Sequence, residues 1–226
     1  MELTIIVPAY NEEKRIAGTL GKLTKAFPKA EIIVVSDGTD RTPQVARRFR
    51  VKVYTFKRRL GKGGAVLEGI KRAKGGIGLF IDADLPTGIS DLKHIVAEAG
   101  KADLTVGIRR DMKSQPQGRQ ALHSIYKILV KLMFPSIAYV GDYQAGCKAF
   151  RTPFIKKILN EIVITDFAFD VNMIYSVKRS GGSIRGVPIT WVHEESGSGI
   201  SQNKFRTSAK MLSSLLRLRK HYSPFG

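Results

Sequence analysis

The chain has 226 residues, enough for one domain with a full hydrophobic core, and 43% of them are hydrophobic, as in an ordinary globular protein. Its single cysteine, Cys147, excludes an internal disulfide framework and a cysteine-based zinc site, which favours a reduced, cytoplasmic setting. No run approaches the ~18 apolar residues of a membrane span, and the amino terminus lacks the pattern of a secretory signal.

The net charge is strongly positive. Lys and Arg number 38 against 19 Asp and Glu, a formal charge of +19 at pH 7. Such a surface suits nucleic acid, an anionic membrane or phosphorylated small molecules, or is simply a solvated basic surface. No nucleic-acid-binding motif is present, and the basic segments lack the interleaved aromatic residues of a stacking platform. We therefore expect no nucleic-acid partner.

Three short apolar runs, each followed by polar residues, indicate parallel strands of an α/β fold. Residues 3–7 run into Pro8-Ala9-Tyr10-Asn11-Glu12, residues 31–35 into Ser36-Asp37-Gly38-Thr39-Asp40, and residues 77–81 into Asp82-Ala83-Asp84. Helical patterns follow the first two runs, over 16–26 and 42–49. Since ligands of such sheets bind at the carboxyl ends of the strands, the three polar clusters should converge on one crevice.

Asp82 and Asp84 form the most informative of these clusters. Two carboxylates one residue apart, where a buried strand ends, make an oxygen-rich pair of the kind that holds a divalent cation against a diphosphate. An Asp-x-Asp triplet also occurs by chance, or caps the helix that follows. The pattern predicts Asp84, together with Asp82, as ligands of Mg²⁺ or Mn²⁺.

A glycine-rich segment, Arg58-Arg59-Leu60-Gly61-Lys62-Gly63-Gly64-Ala65-Val66, lies between the second and third of these strands and opens a helix predicted to run to about Ala73. Glycines let the backbone approach a ligand closely, the helix start offers free amides, and Lys62 adds a positive charge. The segment has neither the P-loop spacing nor the dinucleotide fingerprint. It is either a phosphate-binding loop or a plain strand-to-helix turn.

Two basic amphipathic helices are predicted in the second half of the chain. The apolar face of the first comprises Leu122, Ile125, Tyr126, Leu129, Leu132 and Met133, and that of the second comprises Phe205, Ser208, Met211, Leu212, Leu215 and Leu216. From Ser201 to Gly226 there are six basic residues and no acidic one. Such faces either pack on the sheet or lie in the interface of an anionic bilayer, and two of them beside a phosphate-type site favour the membrane surface.

Taken together, these motifs resemble the family 2 glycosyltransferases with the GT-A fold. The motifs at 8–12, 37–39, 61–66 and 82–84 occur in the order and spacing of that family. Residues 142–150 (DYQAGCKAF), 167–171 (FAFDV) and 187–191 (VPITW) are similar to segments of the polyprenyl-phosphate sugar synthases, the last of them leading to a loop at 195–198. The resemblance implies a Rossmann-like, mostly parallel α/β domain over 1–201. The basic helix over 202–226 would be part of the same unit or membrane-associated.

The resemblance to dolichyl-phosphate glucose and mannose synthases implies a function as well. The enzyme would move a hexose, with inversion, from UDP-glucose or GDP-mannose to a polyprenyl phosphate at the cytoplasmic face of a membrane. UDP-glucose leads narrowly, because the glycine-rich segment looks like the glucose type. Attachment would be peripheral, or through a membrane-spanning partner subunit. Two alternatives stay open: a soluble family 2 transferase acting on a sugar hydroxyl, and a non-catalytic basic binding protein on a GT-A scaffold.

Site residues follow from the same resemblance. The nucleotide sugar would be bound by Pro8, Tyr10, Glu12, Asp37, Lys62 and Asp82, and the acceptor phosphate by Arg119, Ser124 and Arg206. Asp82, Asp84 and Lys62 would carry the chemistry. An anionic phosphate nucleophile needs positioning rather than deprotonation, whereas a sugar hydroxyl would need a base, for which Asp142 is the candidate.

The metal site departs from the mannose synthases in one respect. Where those enzymes have a Gln two residues beyond the second Asp, this chain has Pro86, which cannot bind a metal. His193 is a further candidate ligand, since imidazole suits Mn²⁺ better than Mg²⁺, but the sequence favours the alternative that it is a loop residue with no ligand role.

Overall fold

The computed structural model describes residues 2–110, 117–166, 168–191 and 204–222, with only the backbone course over 117–122 and 204–208. The strands are Leu3–Ala9 (β1), Glu31–Ser36 (β2), Lys52–Thr55 (β3), Ile77–Ile81 (β4), Leu104–Arg109 (β5), Cys147–Arg151 (β6) and Ile184–Ile189 (β7). The α-helices are Ile16–Ala26 (α1), Thr42–Ala46 (α2), Gly61–Arg72 (α3), Ile89–Glu98 (α4), Gln117–Met133 (α5), Thr152–Lys157 (α6), Phe169–Arg179 (α7) and Lys204–His221 (α8).

In the described part of the chain, the seven strands form one sheet in the order β3-β2-β1-β4-β6-β5-β7. Strand β6 runs antiparallel to both of its neighbours, β4 and β5. The other pairs are parallel. The predicted class, a mostly parallel sheet flanked by helices, is therefore confirmed, and β6 divides it into two parallel parts.

Both faces of the sheet are covered, as the β-branched composition of the strands requires. Along β1 the side chains alternate between the two layers: Ile6 joins a core with Val66 of α3, whereas Ile5 joins another with Leu20 of α1. All of these side chains are fully buried. A strand buried on both faces reads as a continuous apolar run, which is why β1, β2 and β4 stand out in the sequence.

The structure differs from the expected elements in two places in the amino-terminal half. Strand β3 was not predicted, because this edge strand has only four residues and its Val53 and Tyr54 are merely half-buried. The run at 77–81 is therefore the fourth strand. The second helix ends at Ala46 rather than at Phe49, since the amides of Arg48 and Phe49 bond carbonyls three residues back instead of four.

The predicted apolar face of α5 is wrong in part. Tyr126 is buried as expected, together with Val130. Ile125, Ile128 and Leu132, in contrast, are 56%, 57% and 72% exposed. Apolar residues occupy more than one side of this helix, so one stripe packs inward and a second one faces solvent.

Helix α8 shows the same division. Met211 and Leu215 are buried, while Leu212 and Leu216 are 41% and 55% exposed. The helix packs against α5, and at its end the Tyr222 hydroxyl donates to the carbonyl of Glu161. Among the residues that the structure describes, no helix has the length and the apolar character to cross a membrane.

Candidate active site

The carboxylates after β4 lie at the centre of the crevice. Asp82 Oδ1 is 2.7 Å from the Nζ of Lys62, and Asp84 Oδ2 is 3.9 Å from an Nη of Arg15. Burial, followed by repulsion from Asp82, raises the pKa of the Asp84 carboxyl above its ordinary value. The two carboxylates repel each other, and a divalent cation bound by both would relieve that repulsion.

The turn that carries these carboxylates is strained. Leu85 has a φ of 47°, which is uncommon for a side chain larger than Asn. Its amide donates to the carbonyl of Asp82, and the Thr19 hydroxyl of α1 donates to the carbonyl of Ala83. Bonds from two directions hold the turn that carries both carboxylates.

Lys62 stands at the first turn of α3, directly over Asp82. Burial acts to lower its pKa, but attraction from Asp82, Asp170 and Asp84 outweighs that effect, and the pKa is raised. The ammonium group is therefore charged throughout the physiological range. Its helix starts at Gly61, whose φ of +73° favours glycine, and the amide of Gly63 donates to the carbonyl of Thr165.

Asp37, at the end of β2, ties the glycine-rich segment to the sheet. Its Oδ2 accepts the amides of Leu60 and Gly61 at 2.7 and 3.0 Å. Its Oδ1 accepts a bond of 2.7 Å from Arg59. The guanidinium of Arg59 also lies 3.3 Å from the centre of the Tyr10 ring. Arg59 lies within the segment that the sequence singled out, but sequence analysis gave it no role of its own.

The other predicted nucleotide-binding residues lie at the end of β1. Pro8 pairs with Val35 of β2, and Tyr10 is 45% exposed at the mouth of the crevice. Both carboxylate oxygens of Glu12 accept bonds of 2.7 Å from Arg15. Burial raises the pKa of Glu12 in spite of this partner. The structure thus brings Pro8, Tyr10, Glu12, Asp37, Lys62, Asp82 and Asp84 to one edge of the sheet, as predicted; their individual roles stay predictions.

A second charged cluster lies at the end of β5. Its central residue, Arg109, was not predicted from the sequence. Arg109, the last residue of β5, donates to the two oxygens of Asp142 at 2.6 and 2.9 Å. The two side chains are only 9% and 5% exposed. The guanidinium also lies 5.3 Å from the Trp191 ring. A lone Arg at the end of a strand has no sequence pattern that would reveal a partner 33 residues away.

The geometry of Asp142 bears on its predicted role as a base. Burial acts to raise its pKa, but the hydrogen bonds and charge of Arg109 prevail, and the pKa is lowered. Its Oδ1 also accepts the amide of Gln144. A carboxylate bound in this way has little basicity left, so the structure offers Asp142 as the counter-ion of Arg109; a role as base stays an untested prediction.

His123, on α5, is another residue that was not predicted. Its Nδ1 lies 3.1 Å from Oε1 of Gln144, and burial, then the charge of Arg109, lowers its pKa. Ser124 beside it is on the exposed side of the helix. The side chains of Arg119 and Arg206 lie outside the described residues, and so does His193, so these three predictions have no structural outcome.

Within the described residues, no group of three or more His, Cys, Asp and Glu side chains could hold a metal ion. Asp82 and Asp84 are the pair available, and their oxygen atoms suit Mg²⁺ or Mn²⁺. A cation held by two protein carboxylates keeps open positions, which fits a site that the oxygens of a diphosphate complete. The residues present therefore fit the predicted metal.

Residues 4–167 match the family described as Glycosyl transferase family 2. The chain belongs to this family. It is therefore a glycosyltransferase, as the motifs predicted, and the sheet with its structural neighbours confirms the GT-A fold.

The relatives in this family include enzymes that act on lipid phosphates. The chain is 29% identical to the dolichyl-phosphate beta-glucosyltransferase of Saccharomyces cerevisiae, over 97% of this chain and 75% of that protein. It is 29% identical to the undecaprenyl-phosphate mannosyltransferase of Micrococcus luteus, over 87% of this chain and 86% of that protein. The glycosyltransferase AglD of Haloferax volcanii is 28% identical over 84% of this chain, which spans only 33% of AglD.

Solved structures show the same fold at lower identity. Glucosyl-3-phosphoglycerate synthase of Mycobacterium tuberculosis, in complex with Mn²⁺, UDP and glucosyl-3-phosphoglycerate, superposes with a TM-score of 0.78. The identity is 17%, over 97% of this chain and 80% of the synthase.

Proposed function

We propose that this glycosyltransferase moves a hexose from a nucleotide diphosphate sugar to a polyprenyl phosphate, with inversion at the anomeric carbon. The observation that carries the proposal is that two charged clusters, one rich in carboxylates and one built on an arginine, lie at opposite ends of a single short segment. Asp82, which pairs with Lys62, bonds Gly146 at one end of residues 142–146, and the buried guanidinium of Arg109 bonds Asp142 at the other end. The first suits a metal-bound diphosphate and the second suits an anionic acceptor.

The donor end would work by neutralising charge. The main barrier to departure of a nucleoside diphosphate is the negative charge that accumulates on it. Mg²⁺ or Mn²⁺ bound by Asp84 and Asp82 would supply a Lewis acid for these oxygens. Lys62, with its raised pKa, would stay protonated beside the diphosphate and hold its orientation. Tyr10 and Arg59 would form the wall against which the nucleoside lies.

The acceptor end would work by positioning. A phosphate monoester is already anionic at neutral pH, so its oxygen can attack once it is held in line with the anomeric carbon. Two donors of the Arg109 fork are bonded to Asp142, and its remaining N–H groups would bind the phosphate. Asp142 fixes the orientation of that fork and cannot readily accept a proton, which supports a phosphate acceptor over a sugar hydroxyl.

UDP-glucose is the donor that we put first. The relatives named dolichyl-phosphate beta-glucosyltransferase, which include the yeast protein, favour glucose and a lipid phosphate. The relative from Micrococcus luteus is named for a mannosyl transfer, so GDP-mannose is the second donor to test. A panel of UDP- and GDP-sugars with short polyprenyl phosphates, or with free sugars, and mass detection of the product would decide among them.

The exposed apolar stripes support a proposed site of action at a membrane surface. Ile125, Ile128 and Leu132 of α5 are more than half exposed, and α8 packs beside that helix. On α8, Leu212 and Leu216 are flanked by exposed Arg217 and Lys220. Apolar side chains with basic residues at their margin suit an anionic bilayer, where each Lys or Arg contributes about 1 kcal/mol. A membrane-spanning partner subunit is the other means of attachment.

A binding experiment separates this enzyme from a non-catalytic protein on the same scaffold. UDP or GDP should raise the melting temperature in the presence of Mn²⁺ and much less in the presence of a chelator, because the nucleotide binds the folded state through the metal. Nucleic acid should give no comparable, salt-resistant stabilisation. Tight nucleic-acid binding without any nucleotide effect would contradict the proposal.

A further inference from the structure

A buried ion pair lies directly behind the active site, and the proposed transfer does not use it. Lys148 of β6 is fully buried, and its Nζ is 2.5 Å from Oδ1 of Asp170 on α7. The same ammonium donates to the carbonyl of Ala145 at 2.8 Å and lies 5.4 Å from the ring of Phe80. Taking two charges out of water is costly, and apolar residues in such positions often serve stability equally well. Stability alone therefore does not explain why the fold contains this buried pair.

Lys148, one member of the pair, supports the backbone that contacts Asp82. In the ladder between β4 and β6, Lys148 faces Phe80, two residues before Asp82. The amide of Asp82 then donates to the carbonyl of Gly146 at 3.1 Å. A methyl group on Gly146 would lie 1.7 Å from Oδ2 of Asp82, so the carboxylate rests against bare backbone. The bond from Lys148 to the Ala145 carbonyl fixes that stretch of backbone.

Asp170, the other member of the pair, acts electrostatically on Lys62. Helix α7 begins against the start of α3, where a methyl group on Gly63 would lie 2.5 Å from the ring of Phe169. Asp170 follows Phe169, and its charge acts on the ammonium of Lys62. Lys148 partly neutralises Asp170. Removing Lys148 alone would leave the full charge of Asp170 to compete with Asp82 for Lys62, and a variant that removes both charges avoids this.

We infer that the Lys148–Asp170 pair is a positioning device that orients Asp82 and keeps Lys62 paired with it. The two residues touch no reacting atom in this assignment. They act through the backbone at 145–146, which contacts Asp82. The inference rests on the proposed function, because it concerns the donor and metal end of that same site.

The test uses the double variant Lys148→Met/Asp170→Asn, which removes both charges and keeps similar volumes. Residues that support metal ligands typically contribute about 10–100-fold to metal affinity or activity, so we expect a loss of that size in kcat and in the affinity for Mn²⁺-UDP by calorimetry. The KM for the lipid phosphate should change by less than about two-fold, and the melting temperature should stay within a few degrees. The unaltered protein must bind Mn²⁺-UDP in the same assay; if it does not, it is the proposed function that fails.

A matched control lies at the other end of the same strand. Arg151 and Asp103 form an ion pair of 3.2 Å at the end of β6 remote from the site, and Arg151→Ala/Asp103→Ala should leave kcat and Mn²⁺-UDP affinity unchanged. The single variant Asp170→Asn retains the bond from Lys148 to the Ala145 carbonyl but leaves that ammonium without a counter-ion, so it should be less stable than the double variant and yet lose less Mn²⁺-UDP affinity. Wild-type kcat and Mn²⁺-UDP affinity in the double variant would overturn the inference. So would an unfolded double variant together with a fully active Asp170→Asn, since the pair would then be structural only.

Discussion

The proposed donor end and the proposed acceptor end of the cleft are built by different means. At the donor end, polar residues follow the parallel strands β1, β2 and β4 directly, so neighbours in space come from repeated strand-and-motif units. At the acceptor end, Arg109 and Asp142 meet across the antiparallel insertion of β6. A repeated unit reveals its site in the sequence, whereas an insertion brings together residues that nothing in their local sequence connects.

The largest expected effect is at the donor end. Asp84→Ala should lower kcat by about 10²–10³-fold or more, because a ligand of the charge-neutralising cation is lost. Thermal stability without metal should hardly change, since burial and the repulsion from Asp82 make the ionised carboxylate unfavourable in the folded state. Steady-state kinetics and thermal melts measure the two effects. Glu68→Ala, a surface carboxylate on α3, is the control, and full wild-type activity in excess chelator would contradict the metal role.

The acceptor end should respond differently. Arg109→Gln/Asp142→Asn removes both members of a buried pair and so avoids an unpaired charge, whose cost is about 3–5 kcal/mol. We expect kcat/KM for the lipid phosphate to fall by about 10²-fold, in the range for loss of a charged hydrogen bond in the transition state. Affinity for Mn²⁺-UDP should stay within about two-fold of the parent.

The single variant Asp142→Asn sharpens this second prediction. If Arg109 binds the acceptor and Asp142 only orients it, the single variant should retain more activity than the double one. Equal loss in both, together with efficient transfer by the parent protein to a free sugar, would instead identify Asp142 as a base for a hydroxyl acceptor.

How far the sequence could predict the site follows the same division. Asp82 and Asp84 were predicted because they directly follow a strongly apolar strand, and Lys62 was predicted because it lies in a glycine-rich segment. Arg109 was not, since a single Arg is common and its partner is remote in sequence. Asp142 was singled out, but its partner and hence its lowered pKa depend on tertiary contacts.

The helices illustrate another limit. Periodicity located α5 and α8 correctly, but it could not separate a core-facing stripe from an exposed one. Leu215 and Leu216 are adjacent in sequence, yet the first is fully buried and the second is 55% exposed. Only the packing of α8 on α5 decides between them.

The difference in exposure between Leu216 and Leu215 provides two contrasting variants that test membrane attachment. Leu212→Ser/Leu216→Ser should reduce binding to anionic vesicles by about ten-fold or more, since burying each Leu side chain contributes up to about 1.5–3 kcal/mol. Lipid-linked product should fall in parallel, while Mn²⁺-UDP affinity stays unchanged. Leu215→Ala should instead cost about 2–5 kcal/mol of folding stability. Normal vesicle binding by the folded double variant would mean that attachment lies elsewhere, a partner subunit being the next candidate.

The smallest expected effect is a difference between Asp142 and Asp84 in how each contributes to folding stability as the pH changes. Arg109 lowers the pKa of Asp142 in the folded state, so its stabilising contribution is present above the unfolded value of about 3.9 and is lost as pH falls through the folded pKa. Asp84 has the opposite sign: its raised pKa means that the ionised form destabilises the fold above that pKa.

In metal-free urea titrations, Asp142→Asn should therefore be less stable than the parent at pH 7, and the deficit should shrink as the pH is lowered below about 4. Asp84→Asn should be slightly more stable than the parent at pH 7, and this gain should also vanish in acid, because the parent is then protonated in both the folded and the unfolded state. Deviations of the same sign in the two variants would show that the two ends of the cleft do not hold their carboxyls in opposite ways.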